Sequence, residues 1–131
     1  MIPGFTYHKK NFTEYARDFL GSDEESDAPY RLKIDHTLRV VGHSLQYTET
    51  LPDSIRLAAA LAALYHDLGR FSQYKEFSTF HDGSSCNHAF RSVEELEKLG
   101  FLSPLQPFRR EIIDSIRLHN QKQLDEPITP Q

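Results

Sequence analysis

The segment 57–71, LAAALAALYHDLGRF, constrains the fold more than any other part of the 131-residue sequence. It begins as a nearly unbroken run of alanine and leucine, the strongest helix formers, with apolar residues on every face. A helix that is apolar all round is a buried helix. The segment therefore predicts a central helix, capped at its start by Asp53 or Ser54 and ended by Gly69. That helix delivers an imidazole and a carboxylate, His66 and Asp67, at its end. Buried ionisable groups need partners, and a metal ion satisfies both at once.

The rest of the chain reads as helices arranged around this one. Phe12, Tyr15, Ala16, Phe19 and Leu20 recur at helical spacing, predicting a short amphipathic helix over 11–20. GSDEESDAP follows as a polar surface connection. A second helix is expected over 29–51, with Asp27 as cap, Pro29 in the first turn and Pro52 as the stop. Ile34, Leu38, Val41 and Leu45 form its apolar stripe, and His36, His43 and Tyr47 lie on a neighbouring stripe of mixed character. After the loop HDGSSCN, His88 opens a helix with Ala89, Val93 and Leu96 inward, Glu94, Glu95 and Glu97 outward, and Gly100 at its end. A last helix over 105–120 places Phe108, Ile112, Ile116 and His119 on one face. Strand-type alternation is missing, so the fold class is all-α: a compact multi-helix bundle, one domain over 1–131.

Composition removes several classes of function. A net charge of -4 argues against general nucleic-acid binding, which needs a basic face. No apolar run reaches the roughly 18 residues needed to cross a membrane, and the N-terminus has no apolar core of a signal peptide. Cys86 is the sole cysteine and is read as a plain free thiol, which points to a reducing, cytoplasmic setting.

Four histidines, His36, His66, His88 and His119, fall on four different predicted helices, each at an end or on an inward face, with Asp67 beside one of them. Mixed imidazole and carboxylate donors suit Zn, Fe, Mn, Co or Ni rather than Ca. His8 and His81 have no pattern behind them and are read as surface residues.

DHTLRV at 35–40 and HDLGRF at 66–71, with NHAF at 87–90 and IRLHN at 116–120, resemble the HD-domain superfamily of metal-dependent phosphohydrolases. The resemblance spans about 30–120. It implies a first metal position at His36, His66 and Asp67, with Asp67 able to bridge, and a second ion at His88 and His119. It also implies Asp67, His66 and Arg70 as the catalytic group, Arg70 as a cationic clamp on a substrate phosphate. Lys33, Asp35, Arg39 and His43 are weaker candidates for phosphate or supporting contacts. The implied activity is hydrolysis of a phosphomonoester or phosphodiester, nucleotide-like and small, with one or two divalent ions per chain. Homo-oligomer formation is allowed.

One part of the family pattern has no match: a further aspartate on a later helix. Asp114 lies about 140° around its helix from His119, by the ~100° step per residue, and Asp125 lies in the polar tail. The expectation is an HD domain cut short, with incomplete metal binding. Two alternatives follow: a catalytically incomplete metal-binding regulatory module, and a di-iron oxygenase built on the same ligands.

Overall fold

The computed structural model describes residues 2–125, and these fold as an all-α bundle with no strand among them. The order is α1 (Phe5–Arg17), α2 (Glu24–Tyr47), α3 (Asp53–Tyr65), α4 (Gly69–Phe77), a single 3-10 turn (Asp82–Ser84), α5 (His88–Leu99) and α6 (Arg109–Asp125). Helix α3 packs against α1, α2 and α6, while α5 packs against α4 and α6. Its second half is the centre of the core, where Ala60, Leu61, Leu64 and Tyr65 are fully enclosed. The first half is not: Ile55 is 41% exposed, so the all-round burial expected of this helix holds only toward its C-terminus.

Several boundaries differ from expectation for identifiable reasons. Helix α1 starts at Phe5 rather than near 11, because Gly4 turns the chain in the left-handed region (φ 89) and Phe5, His8, Phe12 and Ala16 form one buried face. Phe19 lies past the helix end but still joins a cluster of rings with Tyr15, Tyr30 and Phe71. Helix α2 is capped by Asp23, whose carboxylate accepts from the Ser26 amide at 2.7 Å. Asp27, expected as the cap, is buried and accepts from the Gly21 and Ser22 amides, closing the preceding turn. Pro29 thus sits inside the helix rather than in its first turn, removing one helical hydrogen bond.

Helix α3 begins after Pro52 without a side-chain cap bond, so neither Asp53 nor Ser54 caps it. It ends at Tyr65, and Gly69 does not terminate it but opens α4. A Cβ at Gly69 would lie 2.6 Å from the Ser92 amide nitrogen and 2.9 Å from the Arg91 carbonyl carbon, so the glycine is required by the close approach of α5. At the other end of the chain, Phe108 is not a core residue: it is 42% exposed and stands before α6 with φ 61. Helix α6 runs on to Asp125, past the expected end at 120. The side chain of Asp125 lies outside the described residues. No helix among them is long and apolar enough to cross a membrane.

Candidate metal centre

Three residues separate α3 from α4, and each faces a different environment. His66 is half-buried at the end of α3, Asp67 is 4% exposed, and Leu68 is fully enclosed in the core. The turn is fastened to α5 by Ser92, which is fully buried. Its hydroxyl accepts from the Gly69 amide at 2.8 Å, and its single proton lies between the carbonyls of His88 (2.8 Å) and His66 (3.1 Å). One side chain therefore sets the spacing between two of the histidines.

The Asp67 carboxylate is the hub. Its Oδ2 lies 3.5 Å from His36 Nε2, 3.5 Å from His66 Nε2 and 3.8 Å from Lys33 Nζ. Its Oδ1 lies 3.5 Å from His88 Nε2, 3.8 Å from His119 Nε2 and 3.9 Å from Arg70 Nε. Two triads result, His36–His66–Asp67 and Asp67–His88–His119, and within each the donor atoms lie within 4.8 Å of one another. Helices α2, α5 and α6 each supply a histidine, and the turn after α3 supplies His66 together with Asp67.

The ring tautomers follow from the outer nitrogens. His66 Nδ1 and His119 Nδ1 each lie 2.6 Å from a backbone carbonyl, of Ala63 and Ile116 respectively. A carbonyl oxygen only accepts, so both Nδ1 atoms carry the proton. His88 Nδ1 is 2.7 Å from the Asp82 carboxylate and donates to it in the same way. In the neutral rings the Nε2 lone pairs then face inward, and those of His88 and His119 meet at 2.9 Å. Two opposed lone pairs repel unless a proton or a cation lies between them. Burial pushes the pKa of both His66 and His88 down, which favours the neutral, ligating form. Burial opposes ionisation of Asp67, but the polar ring around it, with the Lys33 ammonium at 3.8 Å, outweighs burial and holds the carboxyl well below its usual range. An ionised carboxylate ringed by imidazole donors in fixed tautomers fits a divalent cation of the borderline transition-metal type.

Asp82 was not marked by the sequence pattern. Besides His88 Nδ1 it accepts from the His88 amide at 3.2 Å, from Arg70 Nη1 at 3.0 Å and from Gln73 Nε2 at 3.0 Å. Gln73, fully buried, also donates to Ser85 at 2.9 Å. The one available signal was a carboxylate in the loop that leads into a candidate histidine ligand, since such histidines commonly donate their outer N–H to a carboxylate. No sequence pattern points to Gln73 or Ser92.

Arg70 faces this loop more than the cleft: its Nη1 donates to the Phe80 carbonyl, to Gln73 and to Asp82. Asp35, Arg39 and His43 are exposed on α2, and His81 is exposed beside Ser84. Cys86 is a half-buried free thiol. Asp114 joins no triad; it pairs with Arg110 and Arg117 on α6. His8 departs from expectation. It is buried, and its ring Nδ1 meets the Tyr65 hydroxyl at 2.8 Å, so its polar group is satisfied inside the core.

Among known families, the model described as HD domain matches residues 34–130. No curated protein and no solved structure matches the chain.

Proposed function

This chain belongs to the HD-domain family, and we propose that it hydrolyses a phosphomonoester or phosphodiester of a small, nucleotide-like molecule. The observation that carries this reading is the pair of donor triads sharing one buried carboxylate, Asp67. His36, His66 and Asp67 would hold one ion, and Asp67, His88 and His119 a second. A divalent cation bound there supplies the Lewis acidity that phosphate-ester hydrolysis draws on.

The protein's own contribution is preorganisation. Hydrogen bonds to Ala63, Ile116 and Asp82 fix three imidazoles with their Nε2 atoms toward Asp67, so little reorganisation is needed when charge develops at the reacting phosphorus. Access is uneven: the His36 side chain is 39% exposed and that of His88 only 3%. The widest approach is therefore over His36; in the second triad His119 is 22% exposed, and only the His88 ring is shielded from water. In this reading Arg70 acts as a positioning residue: it holds Asp82, and Asp82 holds His88.

The test is elemental analysis of protein purified without chelator, together with a screen of phosphomonoesters and phosphodiesters under air and under nitrogen. The expected result is at least one bound transition metal per chain and phosphate release that does not depend on oxygen. Bound metal without any hydrolysis would favour a regulatory metal-binding module, and oxygen-dependent turnover would favour a di-iron oxygenase.

A further inference from the structure

We propose that Lys33, rather than Arg70, is the cation that grips the substrate phosphate, an inference that rests on the hydrolase reading above. Two cationic side chains face Asp67, Lys33 at 3.8 Å and Arg70 at 3.9 Å. Arg70 is tethered through its Nη1, which bonds the Phe80 carbonyl, Gln73 and Asp82, and swinging the guanidinium onto a substrate would break these bonds and release the loop that orients His88. Lys33 is held differently. Its ammonium lies between the Asp67 carboxylate and the face of the Phe80 ring, 5.0 Å from the ring centroid.

Lys33 stands one helical turn before His36 on α2, so the two side chains emerge on the same side of that helix, the more accessible side of the centre. With the Asp67 charge taken up by ligands to its oxygens, the Lys33 ammonium, 3.8 Å from Oδ2, would lose its partner there. A lysine, with four methylenes and three rotatable donors, then swings toward whatever anion enters over His36. The Phe80 face keeps the stem in place during that exchange, because a cation over an aromatic ring is attracted without being locked by a hydrogen bond. Lys33 is thus placed to grip a phosphoryl group beside the centre, with its ammonium next to Asp67 and its stem against Phe80.

The test uses the full chain loaded with metal and inorganic phosphate as probe. Phosphate affinity is measured by calorimetry for the parent protein, K33M and K33R, with metal content measured on the same samples. The expected result is a loss of phosphate affinity of about tenfold to a hundredfold in K33M, the range of a charge-assisted hydrogen bond. K33R should retain most of the affinity, and metal stoichiometry should not fall in either variant. Equal phosphate affinity in K33M and parent overturns the proposal, as does loss of metal in K33M, which would make Lys33 a support for Asp67. Absence of hydrolysis by the parent would remove the hydrolase reading while the phosphate affinities still decide the role of Lys33. Where a substrate is found, K33M should raise KM more than it lowers kcat.

Discussion

Replacing Gly69 with alanine should destabilise the chain by about 2–3 kcal/mol, although the same change inside an ordinary helix stabilises. The favourable part is helix propensity, at most about 1 kcal/mol. Against it stands a new methyl group 2.6 Å from the Ser92 nitrogen and 2.9 Å from the Arg91 carbonyl carbon, both in the backbone of α5, which cannot rotate away. Overpacking of this kind costs ~1–3 kcal/mol, and a rigid main-chain neighbour puts it near the upper end. Separating α4 from α5 also strains the buried 2.8 Å bond from the Gly69 amide to Ser92, worth about 0.5–1.5 kcal/mol. The net loss is a large part of a typical total stability of ~5–15 kcal/mol and should lower the melting temperature by about 10 °C. Thermal and urea melts followed by circular dichroism, in chelator and again with metal, measure it. The clash is with backbone, so G69A/S92A should not recover stability. A G69A protein as stable as the parent, or rescue by S92A, would refute the close-approach argument.

Three further outcomes are expected. Asp67→Asn keeps the shape of the side chain but removes the shared charge, so metal content measured by elemental analysis should fall to a small fraction of the parent's while helicity stays nearly constant. Asp82→Asn should weaken the Asp67–His88–His119 position more than the other, lowering metal affinity there by about 10–100-fold, with D82E restoring part of it; equal loss at both positions would argue against a link through His88. In chelator, stability should fall on acidification in two stages. Burial lowers the pKa of His8, His66 and His88 below 6.5, so the unfolded chain takes up their protons first, and stability is lost as pH falls through about 6.5 toward the folded values. Asp67, held below its ordinary 3.8, adds stability above that pH that is lost as pH falls further; urea midpoints at pH 8, 6, 5 and 3.5 would reveal a flat profile if these groups do not matter.

The candidate ligands are legible in the sequence where a helical placement coincides with a segment that resembles the HD family. His66 ends an alanine-rich helix, His88 follows the capping Asn87, and His119 continues the face of Ile112 and Ile116. The supporting residues carry no such double signal. Asp82 resembles any loop aspartate until the fold brings His88, Arg70 and Gln73 to it. His8 looks like a surface histidine because its partner, Tyr65, lies on another helix. Gly69 is a point of close contact rather than the helix stop its place suggests, because a glycine near a helix end serves equally as either, and only the position of α5 distinguishes the two.

The contact between His8 and Tyr65 bears on where this chain can be cut. The family match begins at residue 34, inside α2 and well after α1. Yet Phe12 and Ala16 of α1 are fully enclosed, Phe12 packs edge-on against Phe71 beyond the HD turn, and His8 caps the hydroxyl of the residue immediately before His66. A fragment trimmed to the matched segment would strip the cover from Phe71 and leave the Tyr65 phenol without its partner. Recognisable ancestry and the unit that folds therefore have different edges in this protein. Helix α1 is the difference between them.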